Sequence, residues 1–184
     1  MNEPRPNLVI RVDDTLYGLQ VAPKATGETT GAWLGEYKEI EGADSCFDGL
    51  ANTEAMKAAG SAIATWARGQ VIDGHSDWYI PSRDELELLY RHYKPTEEEN
   101  SRYSGTNSSS VPGGYPYKAK LPAQTTLEDF REGAAEAFDT AWYWSSTQFS
   151  RGYAWTQYFT SGNQLTSGKS WEARCRLVRR FRIE

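Results

Sequence analysis

The sequence predicts an α+β domain with paired terminal strands, two main helices and a small antiparallel sheet joined by long loops. Three observations carry that prediction. Residues 7–12 and Ala173 to Ile183 read as β-strands near opposite ends of the chain, so pairing them would close the fold. Apolar residues recur at helical spacing over residues 52–68 and again up to Tyr93. From residue 141 onward the chain turns β-rich, with aromatic residues alternating along it.

The elements follow in order. Residues 13–50 are rich in Gly, Thr and Asp and read as irregular, with Trp33 and Tyr37 as anchors. A helix is predicted over 52–68, capped by Asn52 or Thr53 and stopped at Gly69; Met56, Ala59, Ile63, Trp66 and Ala67 form its apolar stripe. Trp78 to Pro81 is a short extended piece. Ser82 and Glu85 have the spacing of a capping box, in which each side chain bonds the other residue's amide. The helix they open buries Leu86, Leu89, Tyr90 and Tyr93 and ends at Pro95. Residues 95–124 show no period and read as a loop-rich insertion in a single domain spanning 1–184. Thr125 to Phe138 reads as a third helix, with Thr125 and Glu128 as a second capping box. Tyr153 to Phe159 is an aromatic strand. A turn at Thr160 to Asn163, a short strand at Gln164 to Thr166 and a turn at Gly168-Lys169 lead to the closing strand.

Composition narrows the function classes. With 39% hydrophobic and 24% charged residues the chain reads as globular. Its net charge of -5 argues against a nucleic-acid partner, which normally meets a basic face. The basic cluster Arg174, Arg176, Arg179, Arg180 and Arg182 lies on a strand, where alternation splits it between faces. The first residues have no apolar signal core, and no apolar run reaches the roughly 20 residues of a membrane span. Neither secretion by a leader nor membrane insertion is therefore expected. Cys46 and Cys175 are then read as two free thiols. The chain carries 7 Trp and 11 Tyr, residues that serve either as core filler or as rigid contact surface.

Several segments together resemble a known family. They are Asp77-Trp78-Tyr79-Ile80-Pro81-Ser82 with Glu85-Leu86, then Trp144-Ser145-Ser146-Thr147, then Ala154-Trp155 with Phe159 and Gly162, and finally Ala173 to Arg179. Over about residues 45–183 they resemble the domain at the C-terminus of Lcl, a bacterial collagen-like adhesin. The resemblance implies a C-type-lectin-like fold related to formylglycine-generating enzyme. Asp48 to Thr53, Gly74 to Trp78, Pro122 to Thr125 and Gly168 to Glu172 are similar to a phage and prophage subgroup. That setting implies a virion protein made in the host cytoplasm and released by lysis. Phage tropism determinants of the same kind of fold hold a variable face between the Trp-Ser-Ser-Thr-like segment and the last strand. Many family members pair a first-helix cysteine with one in the closing strand. Helix 52–68 has no cysteine, so the pairing implied here would be Cys46 with Cys175.

No catalytic residue, metal site or cofactor is assigned. Cys175 lies between two arginines that could lower its pKa, but it stands alone in its motif. Asp73, His75 and Asp77 alternate like ligands, yet turns before strands favour the same residues. The calcium triplets of sugar-binding lectins are absent, which leaves Asp44 and Asp48 as oxygen donors without a motif. Trp144 to Thr147 reads as a core anchor followed by a turn. The expected ligand-binding residues lie downstream: Gln148, Phe149, Arg151, Tyr153, Trp155, Gln157, Tyr158, Asn163 and Gln164. They combine rigid aromatic contacts with adaptable hydrogen bonding. Tyr153, Trp155, Gln157 and Phe159 share one strand face and Ala154, Thr156 and Tyr158 the other; either could be the exposed one.

The expectation that follows is a non-enzymatic phage or prophage adhesin or receptor-binding protein, such as a tail fibre component, that recognises a host surface protein or glycan. A virion structural component, in tail, baseplate or capsid decoration, is the alternative, with other virion proteins as partners. A formylglycine-generating-like enzyme and an intracellular phage inhibitor are further classes. A homo-oligomer, such as the trimer common among phage adhesins, stays open, since no coiled-coil heptad requires one.

Overall fold

The computed structural model describes residues 8–183; Asn7, assigned above to the first strand, lies outside the described residues. Two sheets organise the mixed α+β fold. A three-stranded sheet takes the order β1 (Val9–Val12), β2 (Thr15–Val21), β8 (Val178–Arg182). A five-stranded sheet takes the order β3 (Glu28–Ala32), β7 (Glu172–Arg176), β4 (Trp142–Gln148), β5 (Tyr153–Tyr158), β6 (Gln164–Gly168). The terminal strands thus share a sheet but are not partners, because β2 lies between them. The five-stranded sheet is antiparallel except where β4 meets β7.

The region 13–50 is more regular than its composition suggests. The turn Asp13-Asp14 closes a hairpin with Val12 opposite Thr15, and Asp13 takes a positive φ of 51° that Asp tolerates. β2 then buries Leu19 and Val21. A short helix α1 (Lys24–Gly27) leads into β3. Trp33 is an anchor, fully buried with its indole N–H donating to the Ser145 carbonyl at 2.9 Å. Tyr37 is not one: it is 58% exposed.

The predicted helix over 52–68 is two helices, α2 (Gly49–Ala58) and α3 (Ala62–Arg68). Gly60 adopts a φ of 90°, which ends the first. Ser61 caps the second and donates to the Trp33 carbonyl at 2.7 Å. Asp48 caps α2, accepting from the Ala51 amide at 3.0 Å. Asn52 and Thr53 lie inside the helix and are fully buried: Asn52 bonds the backbone of Ser45, and Thr53 accepts from the Ile80 amide.

The capping box is formed as expected. Ser82 accepts from the Glu85 amide at 3.3 Å, and the Glu85 carboxylate accepts from the Ser82 amide at 2.7 Å. It opens α4 (Arg83–Tyr93), whose Leu86, Leu89, Tyr90 and Tyr93 are buried. The 95–124 segment forms no helix or ladder strand, but its buried amides pin it. Asn100 accepts from the Tyr90 hydroxyl at 2.6 Å, and Asn107 donates to the Asp84 carbonyl and the Glu87 carboxylate. Thr125 to Phe138 is not a helix; only one 3-10 turn, Glu128–Phe130, forms. Thr125 accepts from the Leu127 amide instead of capping through Glu128, and Gly133 takes a φ of 84°. The segment is held by its aromatics: Phe130 stacks on Tyr93 at 4.2 Å and Phe138 on Phe159 at 4.1 Å.

The Trp144 to Thr147 segment is strand, not turn. It lies in β4, between β7 and β5, and all four residues are buried. Successive residues feed different cores: Tyr143 joins the cluster with α4 and Phe159, and Trp144 the one with α2, α3 and Trp78. The closing strand breaks at Leu177, so that β7 joins one sheet and β8 the other. Four of its arginines are bound internally, and Arg182 is exposed. Arg176 is fully buried against the Ala22 carbonyl and Glu136, and Arg174, Arg179 and Arg180 pair with Asp139, Asp77 and Asp48.

Burial raises the Glu85 carboxyl to about 7, against hydrogen bonds from Ser82 and Tyr79 that lower it. The folded protein therefore keeps this proton over a pH window in which the unfolded chain, titrating near 4.5, has released it. Stability falls as pH rises through that window, by on the order of 3 kcal/mol from this group. Glu85→Gln should remove that contribution. Its Tm relative to wild type should climb as pH is raised from about 5 to about 7.5 in thermal unfolding. Gly49 gives a second test. A Cβ there would meet the Ser82 amide nitrogen at 2.6 Å and the Ile80 carbonyl at 2.7 Å. Gly49→Ala should lower unfolding free energy by about 2–3 kcal/mol in denaturant titration.

Candidate functional site

The expected ligand-binding residues do not form one surface. Gln148 and Gln157 are buried and act within the fold. Gln148 accepts from the Ile40 amide at 2.8 Å and from the Lys169 ammonium; Gln157 donates to the Gly162 carbonyl at 3.2 Å. Neither side chain is open to a ligand, which corrects their assignment. Asn163 and Gln164 are half-buried and clasp the 95–124 segment. Asn163 accepts from Ser101 at 3.3 Å, and the Gln164 amide donates to the Ser104 hydroxyl at 3.0 Å. The lack of apolar period in that segment made the clasp invisible in the sequence.

Phe149, Arg151, Tyr153 and Trp155 do come together. The β4–β5 connection is a tight loop in which the Phe149 and Ser150 amides both donate to the Tyr153 carbonyl, at 2.9 and 3.1 Å. Phe149 is 59% and Tyr153 51% exposed. Phe149 packs edge-on to the half-buried Trp155 at 5.4 Å, and the Arg83 guanidinium lies 5.5 Å from the centre of the Trp155 ring. Arg151 donates to the Tyr37 carbonyl at 2.9 Å, which brings Tyr37 into the group. Tyr37 in turn meets Ser170 at 3.2 Å. The result is an exposed aromatic surface with the Arg151 guanidinium, on a loop whose backbone is fixed by its own bonds; the neighbouring Arg83 guanidinium is paired with Asp84 at 2.8 Å. Tyr37 and Arg83 were missed as site residues because they are distant in sequence.

Tyr158 belongs elsewhere. It points to the opposite face of β5 from Trp155, as strand alternation requires, and stacks on Trp142 at 5.0 Å. With Trp171, Thr30, Thr140 and Glu172 it lines a groove of about 410 Å³ beside β7. Trp142, Trp171 and Glu172 were not among the expected site residues.

The reactive groups weighed in the sequence are placed as follows. Both cysteines are free thiols. Cys175 is fully buried, and burial first and Glu28 second push its thiol up rather than down. The flanking arginines do not activate it, since Arg174 and Arg176 pair with carboxylates. Asp48 is engaged as a helix cap and with Arg180, and Asp77 with Arg179. Among the described residues no cluster of three His, Cys, Asp or Glu side chains is arranged to hold a metal ion. Among them too, no helix is long and apolar enough to cross a membrane.

The chain belongs to the Lcl C-terminal domain family, whose model matches residues 12–179. A comparison with curated proteins gives no match. Among solved structures the chain is similar to a fimbrial protein from Bacteroides ovatus, at 15% identity and a TM-score of 0.47. The alignment covers 90% of this chain and 35% of that one, so the chain spans about a third of that protein's length.

Thiol chemistry tests the placement of the cysteines. In native protein an aromatic disulfide reagent should titrate no more than the Cys46 thiol, slowly, because burial raises its pKa as well. Both thiols should react at once in denaturant.

Proposed function

We propose that this chain is a non-enzymatic binding module of C-type-lectin-like fold, carried on a phage or prophage virion, that recognises a host surface protein or glycan. The observation that carries this reading is the exposed cluster of Phe149, Arg151, Tyr153 and Trp155 on a self-bonded loop. Aromatic residues and arginine dominate binding energy at protein interfaces; the aromatics bury large area with little loss of rotamer freedom, and arginine adds a planar fork of donors. A loop already fixed by its own backbone bonds loses less entropy on binding. The cluster also extends onto Tyr37 and Arg83; the Arg83 charge is compensated by Asp84 at 2.8 Å, so it is the Arg151 guanidinium that suits a ligand with carboxylate, sulfate or aromatic groups. Membership of the Lcl C-terminal domain family supports a binding role. The virion setting rests on the resemblance of Asp48 to Thr53 and Gly168 to Glu172 to the phage subgroup.

Labelled protein should bind cells of a susceptible host and compete with phage adsorption. Phe149→Ala, Arg151→Ala and Tyr153→Ala should each weaken cell binding about tenfold or more, with unchanged Tm. Failure to bind any susceptible strain, or variants that bind like wild type, would overturn the proposal. Finding the same cluster packed against another virion chain, at high copy number, would assign it to a structural role instead.

A further inference from the structure

The groove at Trp142 has chemistry of its own. Trp142 and Tyr158 are cross-strand partners of β4 and β5, stacked at an interplanar angle of 25°. Trp171, 47% exposed, enters from the turn before β7. The groove's volume of about 410 Å³ falls in the roughly 300–1,000 Å³ range of small-ligand sites and suits one or two sugar rings.

Its polar groups are open, unlike those of the tryptophans in the core. The fully buried tryptophans Trp33, Trp78 and Trp144 each donate their indole N–H to a backbone carbonyl. Trp142 and Trp171 have no such bond to a described residue, nor do the hydroxyls of Tyr158, Thr30 and Thr140 or the carboxylate of Glu172. The groove thus presents donors, acceptors and hydroxyls around aromatic faces, all available to a ligand.

Charge narrows the ligand. Arg174 lines the groove, but it bonds Asp139 at 2.9 Å and Glu28 at 3.4 Å, so its charge is compensated. Glu172 has no such counter-charge among the described residues, and the groove is neutral to acidic. An anionic ligand would meet repulsion there. A proline-rich peptide suits aromatic grooves in shape, but proline has no N–H to offer Glu172. A sugar offers hydroxyls that both donate and accept, and polarised C–H groups for the negative faces of the rings.

We propose that this groove binds a neutral saccharide, with Trp142, Tyr158 and Trp171 stacking on its C–H faces and Glu172 accepting from its hydroxyls. The site is separate from the Phe149 surface, since Tyr158 and Trp155 lie on opposite faces of β5. It neither needs the reading above nor fails with it.

The full chain is titrated with neutral di- to tetrasaccharides of hexose and N-acetylhexosamine, followed by tryptophan fluorescence and by saturation transfer to the sugar protons. Sulfated counterparts and a decaproline peptide run in parallel. At least one neutral sugar should bind with Kd of about 0.1–1 mM, with little change on adding salt. Trp171→Ala should weaken it about tenfold or more, Trp171→Phe should retain it within about threefold, and Glu172→Gln should weaken it about threefold. Phe149→Ala should leave it unchanged. Binding of none of the neutral sugars at about 10 mM, or only of the sulfated sugars or decaproline, would overturn the proposal. So would a Trp171→Ala variant that binds like wild type. Loss of cell adsorption in Phe149→Ala with sugar binding intact would show two independent sites.

Discussion

The polar seam along β4 is the constraint on which the rest of the molecule depends. Ser145, Ser146, Thr147 and Gln148 are buried, and a buried polar group left unpaired costs about 1–3 kcal/mol. Most of their partners come from far along the chain. Ser145 donates to the Trp155 carbonyl, Ser146 bonds the Pro81 carbonyl, and Thr147 donates to the Ser45 carbonyl while accepting from the Arg83 amide. Gln148 bonds both the amide and carbonyl of Ile40. The entries of α2 and α4 and the irregular stretch before Asp48 are therefore positioned by one strand. Those fixed positions set Arg83 beside Trp155 and the Phe149 loop over the same edge.

Charge is handled in the same inward fashion. Lys169 is buried near the Trp33 ring, 4.6 Å from its centre, and burial lowers its ammonium to about 8. It bonds the Lys38 carbonyl and Gln148, fastening the β6–β7 turn to the loop after Trp33. Arg176 lies 5.1 Å from the centre of the Phe138 ring. Glu87 joins α4 to the long loop through Tyr117 and Asn107. While these groups serve the interior, two aromatic surfaces carry exposed chemistry. They lie on opposite faces of β5, one with the Arg151 guanidinium and one with the Glu172 carboxylate.

How far the fold could be read depended on whether a local rule acted alone. Ser82 and Glu85 made their capping box because both partners lie within one turn. The face of α4 was legible because its apolar residues recur at helical spacing and Pro95 stops it. The helix expected over Thr125 to Phe138 failed for the opposite reason. It holds good helix formers, but Gly133 at its centre takes a φ of 84°, and Phe130 and Phe138 stack on Tyr93 and Phe159. β2 and β3 were hidden because Gly and Thr there read as turn residues, whereas Gly18 is needed to admit the Phe181 ring from β8. Of the binding surface, Phe149, Arg151, Tyr153 and Trp155 were legible as a polar-aromatic loop. Gln148 and Gln157 look the same in sequence, and only packing shows that they are buried.

The sequence by itself determined the α+β class, the family, the capped helix at Ser82 and the aromatic stretch that carries exposed surface. These follow from period, capping chemistry and composition, which act over a few residues. The tertiary structure decided the rest: the break of the closing strand at Leu177, β2 between the terminal strands, and Trp144 to Thr147 as a buried strand. It also decided which aromatics face outward and that Trp142, Tyr158 and Trp171 meet in one groove. Each of these depends on contacts between segments tens of residues apart, where burial and hydrogen-bond satisfaction outweigh local preference.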